Sequence, residues 1–516
     1  MGMIARVVSG AVEGIRGVPV DVEAAIANGL PGTTILGLPT TAVREGGGRV
    51  RSAIRALGLS IPKGRLTVNL SPGHIRKEGP LYDLPIAAAI LAVAGHVPRD
   101  AARRTAFAGE LTLDGRVRGV RGVLPIALGL KRAGIATLFV PDANAAEAAA
   151  VPGLEVLPVG RLEDVVRHLR GESAVAPASP PDAGTGAGAG ASATWGEDLA
   201  DVRGQASAKR AVEIAAAGAH NLLFVGPPGS GKTMLARRLP GLLPPLSPDE
   251  SLEASVVHAT HRPLEGGLVA APPFRAPHHT VSAVGLVGGG PDPRPGEVSL
   301  AHRGVLFLDE LAEFSRHTLE ILRQPIEAGE VTIARRRGSL TFPARFLLVA
   351  ATNPCPCGDL GHPARPCRCT PAQVQRYHAR LSGPLLDRID LHVEVRPAER
   401  TDLRAIPEGP SSREARERVV RAREAQRRRF GRLNSEIPPG RVAEAVLATD
   451  GAVAFLGRAR EKHALSERAV DRVLRVARTI ADLGGDDRVS ADAVAEAVGY
   501  RVRTIAAAGP ALPPRA

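Results

Sequence analysis

Apolar and polar positions along the chain follow different rhythms in different stretches, and the changes between them divide it. In the first third, short apolar runs at residues 66–70 and 137–140 read as strands, and the Ala-rich run at 84–94 reads as a buried helix. Between about 212 and 396, strand-like and helix-like runs alternate, as a parallel sheet with crossover helices requires. Beyond about residue 411 the strand signal stops, and amphipathic helices are predicted over 413–430, 441–449, 467–483 and 491–500. Residues 173–194 are rich in Ala, Gly, Pro and Ser and almost uncharged, so they are expected to form a flexible tether. The expected fold class is therefore α/β multidomain: an α/β domain at 1–172, the tether at 173–194, an α/β core at 195–398 and an all-α lid at 399–516.

Composition sharpens this picture in three ways. At 516 residues the chain is too long for one core. A net charge of +13, carried mostly by Arg, favours a polyanionic partner over a neutral metabolite. The most apolar stretch, 84–94, is far short of the about 20 residues that cross a bilayer, and no secretory signal is read at the start. A cytoplasmic protein without membrane contact is expected, and in a reducing compartment four cysteines confined to 355–369 suggest a metal rather than disulfides.

The chemistry concentrates after the apolar run at 221–225. There Gly226, Pro227, Pro228, Gly229, Ser230, Gly231, Lys232 and Thr233 form the pattern G-x-x-x-x-G-K-[ST]. Glycines let backbone N–H groups surround phosphates, the following helix start adds positive charge, Lys232 is a cation and Thr233 a Mg²⁺ ligand. ATP with Mg²⁺ is the expected ligand pair. A second apolar run, Val305 to Leu308, delivers Asp309 to the Mg²⁺ shell and Glu310 as general base for water. A third, 346–351, ends near Asn353, a candidate for orienting that water.

These residues resemble the AAA+ ATPases of the magnesium chelatase and MCM clade, and specifically the YifB/ComM family. The resemblance covers nearly the whole chain, through Asp201-Val-Arg-Gly-Gln205, Phe274-Arg-Ala-Pro-His-His-Thr280, Pro295-Gly-Glu-Val-Ser-Leu-Ala-His302, Asn353-Pro-Cys-Pro-Cys-Gly358 and Ser382-Gly-Pro-Leu-Leu-Asp-Arg-Ile-Asp-Leu391. It implies that Arg388 is a finger inserted into a neighbour's nucleotide site, so that a homo-oligomeric ring, a hexamer, completes each site, and that Arg468 is a second sensor acting on its own subunit's nucleotide or on a neighbour's. It also implies that 274–296 is the insert facing a central pore and that the hairpin carrying Arg335, Arg336 and Arg337 lines it. Three adjacent cations repel one another unless a polyanion is near, so DNA, single-stranded or branched, is the expected partner. The function expected from the resemblance is an ATP-driven DNA translocase or branch-migration helicase in recombination or natural transformation, against a magnesium chelatase-type motor acting on a protein.

Two features stand apart. Cys355, Cys357, Cys367 and Cys369 form two C-x-C pairs adequate for a closed, structural four-thiolate zinc site, with His362 an alternative ligand. Residues 76–87, 109–115 and 132–144 are similar to the Lon protease domain fold, but the Ser position of that protease holds Leu81 and its Lys position falls near Leu124. A leucine cannot attack a carbonyl, so a non-proteolytic domain is expected. Three consecutive glycines, Gly46 to Gly48, predict a frayed or bent helix, each costing about 1 kcal/mol against Ala.

Overall fold

The computed structural model describes residues 4–30, 32–61, 64–180, 197–264, 267–290, 293–335, 338–397 and 409–502. The N-terminal part is built on a seven-stranded mixed sheet in the spatial order Gly32–Leu36, Arg65–Ser71, Arg16–Ala27, Ile4–Glu13, Thr105–Phe107, Thr137–Pro141, Glu155–Val159. The long hairpin Ile4–Glu13 with Arg16–Ala27 pairs antiparallel along its whole length, and parallel strands extend the sheet from Ile4–Glu13 through Thr105–Phe107 outward. Helix Asp83–Val93 is buried at every position, which is why its sequence is apolar all round rather than amphipathic.

The glycine run does not break its helix. Thr41–Ala56 is continuous, and Gly46 lies where a Cβ would come under 3.0 Å from the carboxylate of Asp83. That carboxylate is buried and takes Nε and Nη2 of Arg49 at 2.8 and 3.1 Å. The expected fraying is thus corrected: the missing side chain admits a buried ion pair that ties two helices together.

Part of the expected tether is also held. Before residue 181, Val175 N–H donates to His168 Nδ1 at 3.0 Å and Ala178 N–H to the Val156 carbonyl at 2.8 Å, with both side chains packed on the N-terminal core. The rest of 173–194 lies outside the described residues.

The second sheet is wholly parallel, in the order Phe274–Arg275, Val305–Leu308, Leu347–Thr352, Leu222–Val225, Leu391–Glu394. Burial on both faces explains the unbroken apolar runs of its central strands. Helices Ser412–Phe430, Asp450–His463, Glu467–Gly484 and Ala491–Val502 pack beside it in one shared core with helix Ala206–Gly218. The expected helix at 441–449 is shorter, Val442–Val446, and a separate one, Asp450–His463, follows it after the left-handed Leu447. Among the described residues no helix is long and apolar enough to cross a membrane.

The two sheets meet through helix Pro248–His261. Its Val256 and Ala259 are buried in the N-terminal hydrophobic cluster, and Gly122 N–H donates to the Ala259 carbonyl at 2.9 Å. Replacing Ala259, fully buried there, by Arg forces an unpaired charge into this junction and is expected to cost about 1–3 kcal/mol. Denaturant unfolding of the full chain reads it; an unchanged transition would show that the junction carries no stability.

Candidate nucleotide site and cysteine knot

The phosphate loop runs from the end of strand Leu222–Val225 into helix Lys232–Leu242, with Gly229 and Gly231 at φ +78° and +95°, backbone that glycine adopts without strain. At Gly226 a Cβ would press under 3.0 Å from the Val395 carbonyl, so the loop's first residue is fixed as glycine by close packing. Lys232 starts the helix almost fully buried, its Nζ donating to the carbonyls of Gly226 and Pro227 at 2.8 Å each and to Asn353 Oδ1 at 3.2 Å. Burial lowers its pKa from the ordinary lysine value, opposed by the charges of Asp309 and Glu310.

The two neighbouring strands bring the remaining groups to the same edge. Asp309 follows Val305–Leu308 and its Oδ2 accepts from Thr233 Oγ1 at 2.7 Å, while its Oδ1 accepts from the Glu310 N–H at 2.9 Å. Two hard oxygen donors meeting at the loop are the right set for Mg²⁺, which supplies charge neutralisation of phosphate oxygens when bound. Glu310 sits in the left-handed region at φ +51°, rare for a residue with a side chain, and its carboxylate is half exposed, 3.5 Å from Nδ1 of His279. The structure therefore brings Gly226 to Thr233, Asp309, Glu310 and Asn353 together.

It does not bring Arg388 and Arg468 there. Both line a cleft of about 980 Å³ at the opposite, amino-terminal edge of the same strands, with Asn221, Gly304 and Leu347 in its wall. Arg388 is one-tenth exposed and bonds Glu327 Oε1 at 2.5 Å and the Pro384 carbonyl at 2.6 Å. Arg468 is exposed at the first turn of helix Glu467–Gly484, and Arg472 and Arg475 line the same cleft one and two turns on. Sequence reasoning missed these two; their i+4 and i+7 spacing from Arg468 on a predicted helix was the available signal. It also gave no role to His279, although it lay inside a quoted motif.

Arg335 lies at the end of strand Glu330–Arg335, which pairs antiparallel with Gly338–Pro343, so the predicted hairpin is present. Arg336 and Arg337 lie outside the described residues. Beyond Asn353, the Sγ atoms of Cys355, Cys357, Cys367 and Cys369 all lie within 4.8 Å of one another. Cys355 is 3.4 Å from Cys357 and 3.6 Å from Cys367, and Cys357 is 3.6 Å from Cys367. Backbone N–H groups of Asp359 and Arg368 bring the Cys357 thiol down to about 6, while burial pushes Cys355 up to about 12. His362 turns away: its Nδ1 accepts from the N–H groups of Ala364 and Arg365 at 3.0 and 3.1 Å, so it is not part of the cluster.

A parallel sheet with this loop, acidic pair and helical lid defines an AAA+ ATPase of the magnesium chelatase type. Sequence comparison agrees: the family described as magnesium chelatase, subunit ChlI, matches residues 198–403, its further ChlI family matches 22–144 and its C-terminal family matches 409–501. The chain is 43% identical over 500 residues to competence protein ComM of Haemophilus influenzae, covering 96% of this chain and 97% of that one. It is 42% identical over 497 residues to the uncharacterized protein YifB of Escherichia coli K12, covering 95% of each. A shorter likeness, 32% over 127 residues, 23% of this chain and 16% of the other, is to Lon protease of Rhizobium meliloti. The chain belongs to the YifB/ComM family.

Lys232→Ala removes a buried charge-assisted donor and is expected to weaken Mg-ATP binding by about tenfold or more. Titration calorimetry reads this directly, and wild-type affinity in the variant would displace the site from the loop.

Proposed function

We propose that this ATPase works as a ring of identical subunits, a hexamer, that hydrolyses ATP at its subunit seams to move DNA through its centre. One observation carries the ring: Arg388 and Arg468 lie at one edge of the sheet and the phosphate loop at the other. A four-residue strand spans about 13 Å at about 3.3 Å per residue, beyond the reach of either guanidinium to its own nucleotide. A neighbouring copy docked edge to edge would receive them.

In this reading Glu310 takes a proton from the attacking water, and Asn353, held by Lys232, orients that water. Thr233 and Asp309 hold Mg²⁺. Arg388, released from Glu327, and Arg468 lie against the developing charge on a neighbour's γ-phosphoryl oxygens, where a planar cation fits. Arg335, Arg336 and Arg337 supply the contact with a DNA backbone, single-stranded or branched, and the likeness to a competence protein of Haemophilus favours this reading. The four thiolates hold one structural Zn²⁺. A second reading, remodelling of a protein partner, draws support from the ChlI families that match along the chain.

ATPase rate measured with and without forked DNA across a salt series separates the two readings. A DNA motor should be stimulated at low salt, lose the stimulation as salt rises, and lose it in the Arg335/Arg336/Arg337→Ala variant. Equal rates with and without DNA would favour the protein-remodelling reading. Glu310→Gln should retain nucleotide while turnover falls at least about a hundredfold, the usual size of a general-base contribution. Mixing inactive Lys232→Ala with inactive Arg388→Ala subunits should restore partial turnover, because some seams then pair an intact loop with an intact finger; no recovery at any ratio would place the finger within one chain.

A further inference from the structure

We infer that the cysteine knot is a metal-dependent brace for the phosphate loop, so that a single Zn²⁺ bound by Cys355, Cys357, Cys367 and Cys369 sets the affinity for ATP. The inference rests on the ATP-binding reading above. Its first support is the geometry of the sulfurs. A tetrahedral ion with metal–sulfur bonds of about 2.3 Å has ligand atoms about 3.8 Å apart along each edge. The separations among Cys355, Cys357 and Cys367, 3.4 to 3.6 Å, approach that edge, Cys369 Sγ lies within 4.8 Å of each, and the three distances are far longer than the about 2.05 Å of a disulfide. Such a cage fits one ion and is too small for an iron–sulfur cluster, and four thiolates with no oxygen donor select Zn²⁺ over hard cations. Backbone N–H groups of Leu360 and Cys357 point at Cys355 Sγ and Cys369 Sγ at 3.4 Å each, the arrangement that stabilises thiolates around a metal.

The second support is where the knot sits. Its loop begins two residues after Asn353, whose side chain bonds the phosphate-loop lysine. Pro354, between them, is fixed by His378 Nε2 on its carbonyl at 2.8 Å. The loop then turns at Gly358, with φ +83°, and lies so close to the phosphate loop that a Cβ on Gly358 would fall under 3.0 Å from Pro228 Cδ. Gly358 N–H donates to the Cys355 carbonyl at 3.0 Å, which ties this contact to a ligand residue. The knot therefore touches the nucleotide site from two sides, through Asn353 and against Pro228. With the metal in place, four bonds hold a turn of small, polar and proline residues that has almost no apolar side chains of its own to pack. Without it, the backing of Pro228 keeps the turn bond from Gly358 to Cys355, and Asn353 its bond to Lys232 and the His378 bond to the neighbouring Pro354.

The test uses the full chain. Purified protein is assayed for zinc, then for affinity toward a fluorescent ATP analogue before and after an organomercurial displaces the metal, and again after thiol and Zn²⁺ are restored. The brace predicts one zinc per chain, a loss of affinity of about tenfold or more on displacement, and recovery on reloading. Because displacement could unfold the segment widely, Gly358→Ala is measured in parallel: all four thiols remain, so it should keep its zinc while binding the analogue about tenfold more weakly. A Gly358→Ala protein with wild-type affinity, a zinc-free protein that binds the analogue unchanged, or absence of stoichiometric metal overturns the brace alone. Failure of the zinc-loaded wild type to bind the analogue overturns the ATP reading as well.

Discussion

The structure depends on one constraint: a short, fully buried parallel sheet has two edges that a single chain cannot use for the same chemistry. Strand direction puts the phosphate loop, Asp309 and Asn353 at the carboxyl edge, where backbone and helix dipoles favour anions. The opposite edge is closed by the cationic cleft and locked to the lid. Asp390 there accepts from Asn221 N–H at 3.1 Å and from Arg472 at 2.6 Å and stands 3.5 Å from His220. Burial alone would raise that carboxyl; the bond from His220 and the charge of Arg472 outweigh it, and its pKa falls well below the ordinary range. The ion pair thus holds lid and sheet in a fixed relation from well below neutrality upward, its contribution being lost only as pH falls through that depressed value. Arg388 and Arg468 stand at this edge, across the sheet from the phosphate loop of their own chain.

What the sequence made legible follows from burial. Strands covered on both faces read as unbroken apolar runs, so those ending at Val225, Leu308 and Thr352 stood out together with the polar residues delivered just beyond them. The site was readable for the same reason: Gly226, Asp309, Glu310 and Asn353 sit one or two residues past a run, and Lys232 and Thr233 close the glycine-rich loop that the first run opens. Less legible were features that depend on a cap or on burial rather than on an apolar run. The helix Asp450–His463 begins in Ala-Thr-Asp-Gly, which reads as a turn, and becomes a helix because Thr449 caps it through Ala452 N–H. Arg478 reads as a solvated helix position but is fully buried, bonded to Asp482 and to carbonyls of Val446 and Asp487. Gly46 reads as a helix breaker because Asp83, the group it makes room for, lies 37 residues away.

The helix Pro248–His261 links the parts in a way that the domain pattern did not suggest. It follows the phosphate-loop helix in the chain, buries Val256 and Ala259 in the N-terminal core, and holds Glu253, which faces His302 and Arg303 just ahead of the acidic strand. Burial is the largest cause that pushes His302 down to about 4, so it stays neutral there and packs as an uncharged ring. The N-terminal sheet is therefore in mechanical contact with the strand that carries Asp309 and Glu310, through packed atoms rather than through the tether alone.

The N-terminal domain closes over the two leucines at which, or near which, the resemblance to Lon protease would place a nucleophile and its base. Leu124 is wholly buried and Leu81 nearly so, both inside the N-terminal apolar cluster. A lysine returned to position 124 would bury an ammonium among aliphatic carbons, which desolvation resists by several kcal/mol. Both positions are thus filled by aliphatic packing that a polar side chain would disturb.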